Sequence, residues 1–288
     1  MNKIYNLLLI LCFFLLTVTA ESLEGGNNST IYISQSGLGN FTKIQDGIDA
    51  ADSGDIVYVL NGTYFENIVI DKSIILIGEN KNNTIIDSRE TGNTIKINAN
   101  NVTIKNFTIQ NSGLIYPLSG INLSSNYNVI ENNVIRNNFY GLTLYFSSEN
   151  LINKNLIQNS YHCGIYISNS KNILIFDNTI KNNFYNGVGL YYSSDNNVIK
   201  SNSFINNSYC GVNIRLSFNN SVIRNNFSYN NIGIHLPNYS NSVSKNVFIN
   251  NNIEIEREFE LSQFILFFFL SLVIIILILF YVRKKIKK

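Results

Sequence analysis

The chain has 288 residues, and its 21 basic and 19 acidic side chains nearly cancel, for a formal net charge of +2. Outside Lys3 and the basic residues at 283–288, acidic side chains outnumber basic ones, so the basic surface that nucleic-acid binding requires is missing. With one Met, three Cys and two His, the chain also lacks the several soft ligands of a transition-metal centre. We therefore expect no nucleic-acid partner, no metal site and no cofactor.

Residues 1–20 predict a secretory signal peptide. Lys3 precedes an apolar core at residues 7–16, and small residues lead to Ala20, after which cleavage is expected. Residues 21–40 follow as an N-terminal segment outside the cytoplasm. Sequons for N-glycosylation are frequent in the exported part and include Asn40, Asn61, Asn101, Asn122, Asn226 and Asn238.

Residues 41–51 carry the one helical pattern of the exported part. Phe41, Ile44, Ile48 and Ala51 fall on one helical face, Thr42 with Gln45 resembles a capping box, and a glycine at 54 supplies a stop. This helix is expected to cover the open first turn of a repeat array, because an exposed sheet edge invites aggregation.

The dominant feature is a repeat of glycine-led segments: GINL, GLTL, GIYI, GVGL, GVNI and GIHL. Their glycines, from Gly120 to Gly233, lie 21, 23, 23, 24 and 22 residues apart. Alternating apolar residues broken by Gly and Asn indicate short strands, and a unit this small buries its apolar face only by stacking on its neighbours. The pattern predicts an all-β, right-handed parallel β-helix over residues 41–260 with about nine or ten coils, each about 4.8 Å above the last.

Polar residues repeat with the same period. An internal ladder of stacked amides is predicted from Asn133, Asn155, Asn178, Asn202, Asn226 and Asn246. Cys163 and Cys210 lie two coils apart, about 9.6 Å, which exceeds the roughly 7 Å limit for a disulfide. Both are therefore expected to be free thiols.

Residues 41–87, reading FTKIQDGIDAADSGDIVYVLNGTYFENIVIDKSIILIGENKNNTIID, resemble the opening of pectin-lyase-like β-helix proteins. The repeats that follow are similar to the NosD-like group and to a domain shared by carbohydrate-binding proteins and sugar hydrolases. The resemblance implies the fold but not one activity, because these families include lyases, hydrolases, esterases, epimerases, adhesins and copper accessory proteins. A copper role is not expected, because the chain has only Met1, His162 and His235 beside its cysteines.

Tyrosines form the candidate ligand-binding surface. One row precedes successive repeat glycines and is expected to stack along one edge: Tyr140, Tyr161, Tyr185 and Tyr209. The adjoining strand is predicted to present outward Tyr145, Tyr166, Tyr191, Arg215 and His235. Tyrosine rings with nearby amides bind sugars through apolar contact plus hydrogen bonds, although stacked rings can also simply stiffen a turn.

Glu149 and Asp195 are the acidic pair to consider for catalysis. Both follow a Ser-Ser pair and are expected at equivalent corners two coils apart, about 9.6 Å, the outer edge of the separation in inverting glycosidases. The same residues also suit a solvated polar turn. No catalytic residue is assigned.

Residues 264–282 form a nearly unbroken apolar run that is long enough to cross a bilayer, and the basic tail at 283–288 marks the cytoplasmic side. The sequence thus predicts a single-pass plasma-membrane protein with its β-helix outside. The first hypothesis is a non-catalytic, adhesin-like module that binds cell-wall or extracellular polysaccharide. A polysaccharide lyase, hydrolase or epimerase and a purely structural spacer are the alternatives.

Overall fold

The computed structural model describes residues 28–237 and 240–258, which form a parallel β-solenoid of about ten turns. Every strand has three to six residues, because turn residues interrupt the apolar alternation after a few positions. The strands are β1 (Thr30–Ile33), β2 (Ile56–Val59), β3 (Gly62–Tyr64), β4 (Ile68–Ile70), β5 (Ile75–Gly78), β6 (Thr84–Asp87), β7 (Ile95–Ile97), β8 (Thr103–Lys105), β9 (Thr108–Gln110), β10 (Ser119–Leu123), β11 (Val129–Glu131), β12 (Val134–Arg136), β13 (Tyr140–Tyr145), β14 (Leu151–Asn153), β15 (Leu156–Gln158), β16 (Ile165–Ser168), β17 (Leu174–Phe176), β18 (Thr179–Lys181), β19 (Val188–Tyr191), β20 (Val198–Lys200), β21 (Ser203–Ile205), β22 (Cys210–Arg215), β23 (Ser221–Ile223), β24 (Asn226–Ser228), β25 (Ile232–Pro237), β26 (Ser242–Ser244), β27 (Val247–Ile249) and β28 (Ile253–Glu258).

Three parallel sheets run the length of the solenoid. Sheet A has the order β1-β2-β5-β8-β11-β14-β17-β20-β23-β26, and sheet B the order β3-β6-β9-β12-β15-β18-β21-β24-β27. Sheet C has the order β4-β7-β10-β13-β16-β19-β22-β25-β28. Each coil therefore contributes one strand to each sheet, as the predicted repeat requires, and β1 adds a strand before the predicted start at residue 41.

Stacked apolar side chains fill the interior. On sheet A, Ile130, Ile152 and Ile175 are register partners on successive coils and are fully buried. On sheet B, the rings of Phe204 and Phe227 stack with centroids 4.8 Å apart. Fully burying one such side chain stabilises the fold by roughly 1.5–3 kcal/mol relative to leaving it exposed.

Stacked asparagines form hydrogen-bonded ladders at the turns between strands. The predicted ladder is confirmed except at one residue. Its members are Asn133, Asn155, Asn178, Asn202, Asn225 and Asn246, each accepting a bond from the backbone N–H of the one before. Asn226 was the wrong choice, because its pairing with Ser203 puts it on strand β24 with an exposed side chain. A second ladder includes Asn197, Asn220 and Asn241, and a third Asn183, Asn207, Asn230 and Asn251.

A short helix, α1 (Ile44–Ala50), packs on the first coil and buries Ile44 and Ile48. The predicted capping box is wrong. The carboxylate of Glu66 accepts bonds from the N–H groups of Ile44 and Gln45 at 2.9 and 3.0 Å instead. The Gln45 side chain is thereby free to bond both N and O of Val69, so it acts as a surrogate strand at the edge of sheet C.

The described residues include no helix long and apolar enough to cross a membrane. The predicted signal peptide at 1–20, span at 264–282, basic tail at 283–288 and sequon at residue 238 all lie outside the described residues.

Candidate functional site

The outer surface of sheet C carries the side chains in which the repeat varies. In each glycine-led segment the second and fourth residues turn inward and stay apolar, as Leu142 and Leu144 do, whereas the third turns outward. Parallel register aligns these third residues on successive coils: Asn122, Thr143, Tyr166, Gly189, Asn213 and His235. The scaffold does not dictate these positions, so they are free to carry function.

Four tyrosines cluster on this surface, and we call them the aromatic face: Tyr140, Tyr145, Tyr166 and Tyr191. Tyr166 is central, with ring centroids 5.1 Å from Tyr140, 5.7 Å from Tyr145 and 5.1 Å from Tyr191. Tyr140 is only 3% exposed and packs beneath the ring of Tyr166, whereas the remaining three tyrosines are half-buried. Burial raises the pKa of Tyr166 to about 12, so its hydroxyl stays a neutral donor and acceptor at physiological pH.

Gly189 makes room for the ring of Tyr191. A Cβ atom at Gly189 would lie only 3.0 Å from Cζ of that ring and closer still to Cε2. The ring therefore lies across the glycine, where its hydroxyl accepts a bond from the Asn186 side chain at 2.8 Å. Burial again raises the Tyr191 pKa above its usual range.

Replacing Gly189 by Ala is expected to displace the Tyr191 ring and break its stack on Tyr166. The new methyl group meets the far end of a side chain and not backbone, so the fold should survive with a loss of about 1–3 kcal/mol. A crystal structure of the variant would reveal the ring position, and an unmoved ring would contradict the expectation.

The row predicted along the neighbouring corner is wrong at Tyr161. The segment before Gly164 has one more residue than the segment before Gly141, so His162, and not Tyr161, continues the row. The ring centroid of His162 lies 5.0 Å from that of Tyr140 and 4.7 Å from that of Tyr185. The Tyr185 ring in turn stacks on Tyr209 with a centroid distance of 5.0 Å. Tyr161 shifts outward and forms a separate exposed stack, 6.0 Å from the ring of Phe184.

Beyond Tyr191 the surface of sheet C becomes polar. Arg215 is the register partner of Tyr191 and is exposed as predicted. His235 points outward by register but is only 2% exposed, which corrects its expected role as an open ligand contact. Its Nδ1 atom lies 2.9 Å from Asn213 Oδ1, and its Nε2 atom lies 3.7 Å from the Glu256 carboxylate, which is partly exposed.

A loop bounds the other end of the aromatic face. Residues 113–117 are an insertion relative to later coils, and their tip brings the exposed ring of Tyr116 to 6.3 Å from Tyr140. This insertion could have been recognised in the sequence, because the interval between the ladder position at Ser112 and the start of strand β10 is longer than in later coils. The face is thus open outward and flanked at one end.

Glu149 and Asp195 do not occupy equivalent corners. Strand register aligns Glu149 with Asn172, whose side chain donates to its carboxylate at 2.6 Å. Asp195 falls one residue out of that column and accepts a bond from the backbone N–H of Phe218 at 2.7 Å. Each carboxylate serves its own turn, an arrangement that does not pair them for acid and base chemistry.

Cys163 and Cys210 are free thiols, as predicted, with Asn186 on the coil between them, and both are fully buried. His162 Nδ1 lies 3.1 Å from Cys163 Sγ, and burial raises the pKa of that thiol to about 12. A cysteine binds copper as the thiolate, and the burial of Cys163 disfavours that charged form. The described residues also contain no group of three or more His, Cys, Asp and Glu side chains that could hold a metal ion.

In the native protein, Cys163 and Cys210 are expected to resist alkylation near pH 8. Because both thiols are buried and protonated, labelling should be at least about 100-fold slower than in urea. Peptide mass spectrometry separates the two sites, the urea-unfolded protein is the control, and rapid labelling of either native thiol would disprove the burial described above.

Solved structures share the fold. The catalytic domain of a GH87 alpha-1,3-glucanase (D1069A) in complex with tetrasaccharides superposes with a TM-score of 0.62 at 16% identity, over 75% of this chain and 42% of that one. Pectin methylesterase from carrot gives a TM-score of 0.53 at 11% identity, over 83% and 91% of the two chains. At these identities the likeness concerns the fold alone.

Two curated relatives are more similar in sequence. A cell surface glycoprotein of Methanothermus fervidus is 31% identical over 206 residues, which is 66% of this chain and 32% of that protein. A mannuronan C5-epimerase of Pseudomonas putida is 32% identical over 160 residues, 51% of this chain and 29% of that protein. The chain spans about a third of the length of these relatives.

A family model described as "Periplasmic copper-binding protein (NosD)" matches residues 76–260, more than half of the chain. The matched segment contains most of the solenoid and the whole aromatic face. The copper in that description does not fit the ligands here, since the buried thiols are protonated and stand two coils apart. In fold and in repeat sequence alike, this chain belongs to the NosD family.

Proposed function

We propose that the protein binds polysaccharide on its aromatic face, as a non-catalytic module at the cell surface. The observation that carries the proposal is the cluster of tyrosines around Tyr166, of which Tyr145, Tyr166 and Tyr191 occupy half-buried outward positions that the solenoid does not need for its core. Aromatic rings remove the apolar faces of sugars from water, and the neutral hydroxyl and amide groups beside them bond sugar hydroxyls.

The cell-surface location is supported by the relatives and by the predicted leader and anchor. One relative is named a cell surface glycoprotein, and the NosD description is periplasmic. Residues 264–282 would anchor the solenoid to the membrane, on the side outside the cytoplasm. This location suits a module that binds a cell-wall or extracellular glycan.

Retention of the purified full-length protein on immobilised polysaccharides tests this proposal. We expect retention on at least one polymer of a panel that covers cell-wall and extracellular glycans, and no change in the polymer's length or linkage. Failure to bind any polymer would favour a structural spacer.

An enzyme acting on polysaccharide is the second candidate, favoured by the epimerase relative and by the polar group of Asn213, His235 and Glu256 beside Tyr191. It predicts new reducing ends, unsaturated uronate or altered C5 configuration when uronate polymers are incubated with the protein. A flat time course by NMR would exclude those reactions on the polymers tested.

A further inference from the structure

The aromatic face lies in an uncharged band. Strands β10, β13, β16 and β19, which build it, read SGINL, YGLTLY, IYIS and VGLY and contain no Asp, Glu, Lys or Arg. The residues next to these strands are also uncharged, since none within 106–130, 137–148, 155–170 or 182–194 carries a charge, and Glu149, Lys171 and Asp195 come only farther along the turns. We propose that the polysaccharide held there is itself uncharged, an inference that rests on the proposed function.

An acidic polysaccharide would meet an unfavourable environment on this surface. A polyuronate carries a carboxylate on every sugar. Removing a carboxylate from water without a cation beside it costs several kcal/mol. Burial already disfavours negative charge here, as the raised pKa values of Tyr140, Tyr166 and Tyr191 indicate. The same desolvation would act on a sugar carboxylate.

Along sheet C itself, the first charged residues on either side stand at the ends of the face. Lys96 is aligned with Asn122, three coils before Tyr166. At the other end, Arg215 is followed within two coils by the Glu256 carboxylate, which has the opposite sign. A polyuronate needs positive charge at each sugar along its path, and these positions do not supply it.

A row of exposed apolar residues borders the face and fits the apolar side of a neutral sugar chain. Phe146, Tyr192 and Leu216 have φ of 49°, 50° and 49° and are 77%, 55% and 53% exposed. Asn169, the usual kind of residue for this left-handed conformation, occupies the corresponding corner between them. Bulky apolar residues gain at most partial burial and no relaxed backbone there, and a row of them matches the contact that an apolar sugar face offers.

Binding of the full-length protein to neutral and acidic polymers tests the inference. The neutral probes are cellulose, chitin and mannan, the acidic probes are polymannuronate and polygalacturonate, and each is tested at about 0.01 M and about 1 M salt. Retention on a neutral polymer that is unchanged by salt supports the inference. Retention on polyuronates alone overturns it and leaves the proposed function standing, whereas retention on no polymer overturns both.

The variant Phe146→Lys adds a cation at the edge of the face. Its folding is not at risk, because the site is exposed and Lys154 and Lys245 already adopt the same left-handed conformation in this chain. We expect weaker retention on the neutral polymer and new, salt-sensitive retention on polyuronate. Unchanged binding to both would remove the apolar row from the proposed site.

Discussion

Asn225→Ala is expected to lower the free energy of unfolding by about 3–6 kcal/mol. The side-chain Oδ1 atom of Asn225 accepts bonds from the backbone and side-chain nitrogens of Asn202 at 2.8 and 3.0 Å. Its side-chain nitrogen donates to Ile199 O at 2.9 Å and to Asn246 Oδ1 at 3.1 Å. Truncation leaves several of these buried groups without partners, at about 1–3 kcal/mol each.

The adjacent residue provides a matched control. Asn226→Ala removes the same side chain from an exposed position on strand β24, where we expect a change within about 0.5 kcal/mol. Urea unfolding of the full-length variants, followed by circular dichroism, compares the two. Equal losses, or a larger loss at Asn226, would mean that the register of this coil is wrong by one residue.

The Asn226 error illustrates where sequence reasoning succeeds and where it stops. Period and alternation predict the solenoid, its number of turns and the inward residues, because stacking forces every coil to repeat them. A single extra residue at a corner changes none of those signals. Asn226, Tyr161 and Asp195 were each placed one position out of register, since backbone pairing and not spacing decides which residue of a corner occupies a column.

The sequence predicts which tyrosines face outward better than it predicts how their rings pack. Outward parity placed Tyr145, Tyr166 and Tyr191 on the outer surface of sheet C, where their half-buried rings lie side by side. It could not reveal that Gly189 accommodates a ring from two residues away, or that His235 is covered. Both depend on side-chain direction and on neighbours in other coils, which a period does not encode.

Replacing Tyr166 and Tyr191 together by Ala is expected to abolish measurable retention on the bound polysaccharide. The two rings stack 5.1 Å apart at the centre of the face, and central aromatic side chains dominate binding energy in most interfaces. A loss of about 2–4 kcal/mol would weaken affinity between about 30-fold and about 1,000-fold. Affinity electrophoresis or isothermal titration of the full-length protein measures the change.

The matched control is a second tyrosine pair on a different sheet of the solenoid. Tyr32 and Tyr58 lie on sheet A with ring centroids 5.7 Å apart, so their double replacement by Ala removes the same atoms away from the face. Retention should persist in that control. Tyr191→Phe keeps the ring and loses the hydroxyl that accepts from Asn186 and Asn213, so it should bind with an affinity between those of the wild type and the double variant. Equal losses in the sheet A and sheet C variants, with unfolding transitions unchanged, would mean that the tyrosines act without a defined site. Loss confined to sheet C would localise sugar recognition to the outward positions where the repeat is free to vary.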